Sequence, residues 1–179
     1  MIQFEYIQAT EESAKQILEW RNDPTTRAMS FHTALHSWDS YYHSFLQRTK
    51  MFPDLPLLFA VKEGIRLAYL QLDPYPHPAT QHLRCCNISI NVAPEWRGAG
   101  IGKEILLAVN GWVKQQGYHA IYAEVKPENI ASQRVMQKCG LRYEKEAPYF
   151  GYSLVCYQIL KEEYQPGEFP YRLAGRYNS

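Results

Sequence analysis

The sequence predicts an α/β (α+β) fold in which one mixed sheet is flanked by helices, and three observations carry that prediction. Strand-like alternation and helix-period apolar patterns interleave in the order β-α-α-β-β-β-α-β-α-β-β, the arrangement of a sheet covered by helices. A glycine-rich stretch, Arg97-Gly98-Ala99-Gly100-Ile101-Gly102-Lys103, lies between an apolar strand-like run and a long helical pattern. The chain has 179 residues, 46% apolar and 21% charged, which fits one compact domain with a sizeable core. No repeat or linker composition interrupts it, so residues 1–164 are expected to form one domain and 165–179 a polar, aromatic tail.

The elements follow in order. Phe4 to Gln8 alternates weakly, as an edge strand does. Thr10 can cap the first helix, with Glu11 and Glu12 favouring its positive end, and Ala14, Ile17, Leu18 and Arg21 recur at helical spacing. Pro24 stops that helix in a turn. Ser37 is placed to cap a second helix reaching about Arg48, with Trp38, Tyr41, Tyr42 and Phe45 as its apolar stripe. Leu57–Lys62 and Ile65–Leu72 predict a hairpin turning at Glu63-Gly64. Three prolines make 73–79 irregular. Leu83–Val92 is the next strand, with Ile88, Ile90 and Val92 on one face and Asn87, Ser89 and Asn91 on the other. The helix after the glycines carries Ile105, Ala108, Val109 and Trp112 at core spacing and ends at Gly117. Tyr118–Val125 is a strand, Ala131–Lys138 a helix opened by Pro127-Glu128-Asn129, and Leu141–Glu146 and Tyr152–Leu160 the last two strands.

Glycines at every second position from Gly98 to Gly102 allow backbone conformations that a side chain forbids, so their amides can converge at the head of the following helix. A helix start has unpaired N–H groups and partial positive charge, which together suit a phosphate or pyrophosphate. Arg97 adds a cation able to hold phosphate oxygens by two bonds. The stretch lacks the Gly-x-Gly-x-x-Gly of a dinucleotide turn. It also lacks the Gly-Lys-Ser/Thr of a nucleoside-triphosphate loop, because Glu104 follows Gly102-Lys103.

Composition narrows the function classes. A net charge of +1 gives no electrostatic footprint for nucleic acid or an anionic membrane. Cys85, Cys86, Cys139 and Cys156 have no metal or disulfide-framework spacing, and adjacent Cys85 and Cys86 on a strand point to opposite faces. They are expected to be buried or half-buried free thiols, and no metal site is expected. No apolar stretch is long enough to span a bilayer, and Glu5, Glu11 and Glu12 interrupt any secretory signal, so a cytoplasmic location is expected.

The run Val92-Ala93-Pro94 followed by Arg-Gly-x-Gly-x-Gly resembles the coenzyme A signature of the GNAT superfamily of N-acetyltransferases, and the element order matches that fold from about Ile2 to Leu160. The resemblance implies a mostly antiparallel sheet of about six to seven strands with four helices. It implies acetyl-CoA as cofactor, held by Ile90, Val92, Arg97, Gly98, Ala99, Gly100, Ile101, Gly102 and Lys103. The segment Glu124 to Leu141 resembles the family's second cofactor motif, in which Asn129 and Ser132 reach the pantetheine and phosphates; Asn129 is equally a good helix N-cap. The implied reaction is direct transfer of an acetyl group from a thioester to a primary amine. Backbone amides near Ile90 to Val92 would polarise the thioester carbonyl.

Two positions depart from the family pattern. The glutamate that often serves as general base falls at Asn87, which cannot accept a proton, and the tyrosine that often protonates the thiolate falls near Met136. Catalytic residues are therefore unassigned, with Tyr143, Glu124, His36 and His82 as candidates. Arg21, Asn22, Phe31 and His36 are expected to line the acceptor site. The segment Trp20–Pro24 with Arg27, Phe31, His36 and Trp38 resembles two branches, the ribosomal-protein-alanine acetyltransferases and those acting on nucleotide-linked amino sugars. The acceptor is thus a small-molecule or peptide amine, and the protein a monomer or homodimer. The competing reading is a non-catalytic acyl-CoA-binding or sensor module of the same fold.

Overall fold

Thr10 separates strand β1 (Gln3–Tyr6) from helix α1 (Glu11–Asn22): its hydroxyl accepts the Ser13 amide at 3.2 Å and satisfies an otherwise orphaned helix donor. The structure, a computed structural model, describes residues 1–75, 84–148 and 152–161. His82 and the expected tail at 165–179 lie outside the described residues. Asp23 ends α1, and Pro24 then opens a second short helix, α2 (Pro24–Met29), where the sequence reading expects only a turn. Pro at the first helical position has no N–H to lose, and Asp23 accepts the Thr26 amide at 2.9 Å, so the same Asp-Pro pair that stops one helix starts the next. Helix α3 (Trp38–Met51) follows; Ser37 stands at its cap position but makes no side-chain cap bond. Tyr41 and Phe45 of the expected stripe are buried, while Trp38 and Tyr42 are half-buried.

Strands β2 (Leu58–Lys62) and β3 (Ile65–Pro74) form the expected hairpin, with Glu63 at φ 52° and Gly64 at φ 77°. Two successive left-handed residues make the turn whose twist matches paired strands. Then come β4 (Cys85–Val92), α4 (Ile101–Gln115), β5 (Ala120–Val125), α5 (Ile130–Lys138), β6 (Arg142–Pro148) and β7 (Tyr152–Ile159). The seven strands lie in the order β1-β2-β3-β4-β5-β7-β6. Pairing is antiparallel for β1–β2, β2–β3, β5–β7 and β6–β7 and parallel for β4–β5. This is the mixed, mostly antiparallel sheet expected, with five helices among the described residues in place of four because of α2. No described helix is long and apolar enough to cross a membrane.

Contacts divide the chain into two compact units, Met1–Leu72 with Ser89–Gly102, and Asp73–Ile88 with Lys103 onward. In the first, Ile17, Trp20, Tyr41, Phe45 and Phe59 form the core, with the Trp20 ring edge-on to Phe59 at 5.9 Å. In the second, Tyr75 stacks on fully buried Tyr122 at 4.2 Å, beside Cys85 and Val155. Helix α4 buries Ile105, Leu106, Val109 and Val113, whereas Ala108 and Trp112, expected at core spacing, are only half-buried. All four cysteines are free and buried. The polar face expected on β4 divides: Asn87 is 3% exposed and Ser89 is exposed.

Candidate functional site

The glycine turn is built by the end of β4 and the start of α4. Ala93 is tied back by its amide to the Leu67 carbonyl at 2.9 Å, and Pro94–Trp96 makes one 3-10 turn, closed by the Trp96 amide on the Ala93 carbonyl at 2.9 Å. Arg97 returns the chain to extended backbone (φ −68°, ψ 152°), and Gly98 and Gly100 then take left-handed φ values of 79° and 77°. A Cβ at either position would meet no atom within 4 Å, so glycine is required there by the backbone angle and not by packing. The space above the turn is clear. Gly102 behaves differently from its two neighbours: it lies inside α4 without a left-handed φ. The leading amides of α4 have no carbonyl one turn behind them, and with the helix dipole they form a seat for an anion. Ala99 and Lys103 are exposed, Ile90, Val92 and Ile101 half-buried, and the Lys103 carbonyl takes the Cys139 thiol at 3.7 Å.

The side chain of Arg97 has a partner of its own. Its Nη2 donates to Asp23 Oδ2 at 2.7 Å and to the Thr26 hydroxyl, so one nitrogen of the guanidinium expected to be held for phosphate is engaged at the N-terminus of α2. Asp23 is held below the ordinary carboxylate range, first by the Thr26 amide and then by Arg97, against some opposing desolvation. Asp23 enters the sequence reading only within the segment Trp20–Pro24, with no role of its own, and Thr26 does not enter it. The signal was present: Asp followed by Pro is an N-cap followed by the first helical residue.

The four residues expected to line the acceptor site, Arg21, Asn22, Phe31 and His36, lie in the same unit. The Asn22 side chain clamps the backbone of His36 from both sides, donating to its carbonyl at 3.0 Å and accepting its amide at 2.9 Å. Arg27 donates to the carbonyls of Asn22 and Thr33 at 3.2 and 3.1 Å, which fastens the segment between α2 and α3. The guanidinium of Arg21 lies 5.5 Å from the Tyr41 ring centre, and the His32 and His36 rings stack at 4.5 Å. Burial, then the charges of Arg21, His32 and Arg27, push the His36 imidazole down to about 4. His36 is therefore neutral at physiological pH and a weak base. Phe31 is half-buried.

In the second unit, Asn129 caps α5, its Oδ1 accepting the Ser132 amide at 3.2 Å. The helix-cap role weighed for Asn129 is thus present, and its partner is the other residue of the expected pair. The parallel β4–β5 ladder has three residue pairs and ends at Asn87↔Tyr122, although both strands continue. Asn87 stands at that end, buried, with Oδ1 lacking a hydrogen-bond partner. Native structures leave few such atoms, so this one marks a position of interest. Glu124 is half-buried on β5, Met136 half-buried on α5, and Tyr143 pairs with Cys156 through the backbone; the Tyr143 side chain lies outside the described residues. No metal-ligand cluster of three or more His, Cys, Asp or Glu occurs among the described residues.

Comparison with known proteins bears on the family and the fold. A relative, aminoglycoside N(6')-acetyltransferase type 1 of Stenotrophomonas maltophilia, is 27% identical over 59 residues, and the match covers 33% of this chain and only 39% of that relative's length. The fold is similar to the yncA protein of Salmonella typhimurium, solved with its cofactor acetyl-CoA (TM-score 0.72, 16% identity, 93% of this chain and 98% of that one). It is also similar to the ribosomal-protein-alanine N-acetyltransferase of Brucella melitensis (TM-score 0.71, 20% identity, 88% and 99%). A third similar structure is aminoglycoside acetyltransferase AAC(6')-Ib in complex with coenzyme A (TM-score 0.74, 13% identity, 89% and 95%). The model of the acetyltransferase (GNAT) domain matches residues 5–142, most of the chain, and the protein therefore belongs to the GNAT acetyltransferase family.

Proposed function

We propose that this protein is an acetyl-CoA-dependent N-acetyltransferase acting in the cytoplasm on a primary amine, borne by a small molecule or by a protein N-terminus. The observation that carries the proposal is the left-handed Gly98–Gly100 turn at the head of α4, with clear space where side chains would stand. That arrangement fits a diphosphate, because it presents amides and a helix dipole without a Cβ in the way. Gly98, Ala99, Gly100, Ile101, Gly102 and Lys103 contribute backbone donors, and Asn129 and Ser132, at the start of α5, correspond to the pair of the family's second cofactor motif. The amides of Ile90 and Val92 are the donors for the thioester carbonyl, an oxyanion-type role. When bound, acetyl-CoA supplies an activated acetyl group whose thiol leaves readily.

The chain's own part in proton transfer is modest. Asn87 can orient a donor or a water through its buried Oδ1 but cannot take a proton, and His36, pushed down to about 4, is a poor base near neutrality. Positioning then contributes most of the acceleration. The clamped segment ending at His36 lies on the acceptor side, with Arg21, Asn22 and Phe31.

The test is a thiol-release assay with acetyl-CoA and a panel of amines: an aminoglycoside, peptides with N-terminal alanine and a nucleotide-linked amino sugar. Amine-dependent release with one class supports the enzyme and names its acceptor. Tight acetyl-CoA binding without turnover on any amine supports the non-catalytic module instead.

A further inference from the structure

We infer that Asp23 is a positioning residue for the glycine turn, acting through Arg97 from the N-terminus of α2. The inference rests on the reading of that turn as the cofactor seat, but its geometry stands separately. Asp23 Oδ2 accepts from the Thr26 amide at 2.9 Å and from Arg97 Nη2 at 2.7 Å, so one oxygen both caps α2 and holds the residue immediately before Gly98. The Thr26 hydroxyl takes the same guanidinium nitrogen, giving Arg97 two fixed partners on one helix turn. Both members of the ion pair are partly shielded, at 31% and 20% side-chain exposure, which makes the contact firmer than an ordinary surface pair.

The two flanking residues extend the chain of contacts. Asn22, next to Asp23, grips the backbone of His36, and Gly98, next to Arg97, begins the left-handed turn. The segment Phe31–His36 and the turn Gly98–Gly100 thus share one anchor, the Asn22-Asp23 junction between α1 and α2. Glycine at two left-handed positions leaves the turn intrinsically loose, and the fixed Arg97 side chain removes freedom from its first peptide. Preorganised amides bind an anion more tightly than amides that must be ordered on binding.

Asp23→Asn separates the two duties of the carboxylate. Asn caps a helix as well as Asp does, so α2 is kept while the charge facing Arg97 is lost. The expected result is an acetyl-CoA Kd about 3- to 10-fold higher, with faster hydrogen exchange at the Gly98 and Gly100 amides and unchanged exchange in α2. Arg97→Met should give the same phenotype, and the double variant should be no worse than Arg97→Met alone, because the pair acts as one unit. If Arg97 is instead a direct phosphate ligand, Asp23→Asn frees it: affinity is unchanged or tighter, exchange at the glycines does not move, and the inference is overturned. Wild-type protein that binds no acetyl-CoA defeats the cofactor reading alone. The exchange measurement, made without ligand, still decides the role of Asp23.

Discussion

Gly100→Ala separates what the turn does for folding from what it does for binding. Gly100 sits at φ 77°, where an L-residue pays roughly 1–2 kcal/mol of backbone strain. Replacing glycine also narrows the unfolded ensemble, which offsets about 0.4–1 kcal/mol of that. The added Cβ meets nothing within 4 Å, so no steric cost is added. The net loss of stability is about 0–1.5 kcal/mol, or a fall in Tm of no more than about 5 °C for a domain of this size. Affinity for acetyl-CoA should fall further, because the methyl group occupies the space above the amides. Loss of one hydrogen bond to a charged phosphate is worth about 1.5–3 kcal/mol, roughly 10- to 150-fold in Kd. Gly111→Ala is the control in the same helix: it has no left-handed φ and open surroundings, and should stabilise by about 0.5–1 kcal/mol without touching affinity. Calorimetric titration and thermal unfolding measure both. A folded Gly100→Ala protein with wild-type affinity refutes the reasoning.

Other outcomes follow from the same contacts. Asn22→Ala removes two hydrogen bonds to His36 and should cost about 1–3 kcal/mol of stability, raising KM for the amine while leaving acetyl-CoA affinity near wild type; equal losses for both ligands would show that the clamp is only structural. His36 is neutral when folded and binds a proton more readily when unfolded, so stability is full above pH 6.5 and is lost as the pH falls towards about 4, where Arg21, Arg27, His32 and Tyr41 surround the ring. After discounting for partial exposure the loss is about 1–2 kcal/mol, and His36→Asn should flatten the stability profile across that window in urea titrations. Asp23 adds a separate loss at lower pH, since its depressed carboxyl stabilises the fold above 3.8. With Asn87 in place of a base, the rate should rise with pH along the acceptor amine's own pKa; an acidic limb common to acceptors of different pKa would point to a side-chain base.

The turn was legible because glycine spacing is a backbone code: glycine alone takes φ near 77° without strain, so the need appears in the sequence itself. The hairpin at Glu63-Gly64 was legible for the same reason. Periodicity placed α4 and α5 and put Ile105 and Val109 in the core, but a 3.6-residue stripe is wide, and Leu106 and Val113 are buried where Ala108 and Trp112 are only half-buried. Helix α2 escaped notice because its six residues contain no buried side chain and so leave no apolar stripe; only the Asp23-Pro24 cap announces it. The partner of Arg97 lies 74 positions away in sequence, and nothing local distinguishes an arginine held for phosphate from one held by an aspartate. Alternation set Asn87 on one face with Ser89 but not what covers it, and in the fold Asn87 is buried while Ser89 is exposed.

The central claim is that the Gly98–Gly100 turn and the first amides of α4 seat the cofactor's diphosphate. Titrating acetyl-CoA into isotope-labelled protein while following backbone amide resonances tests it most directly. The account predicts saturable shifts concentrated at Gly98 to Lys103, with smaller ones at Ser132, and in Gly100→Ala a titration displaced to roughly 10- to 150-fold higher acetyl-CoA. Saturable binding that leaves Gly98 to Lys103 unmoved and shifts amides elsewhere would contradict it.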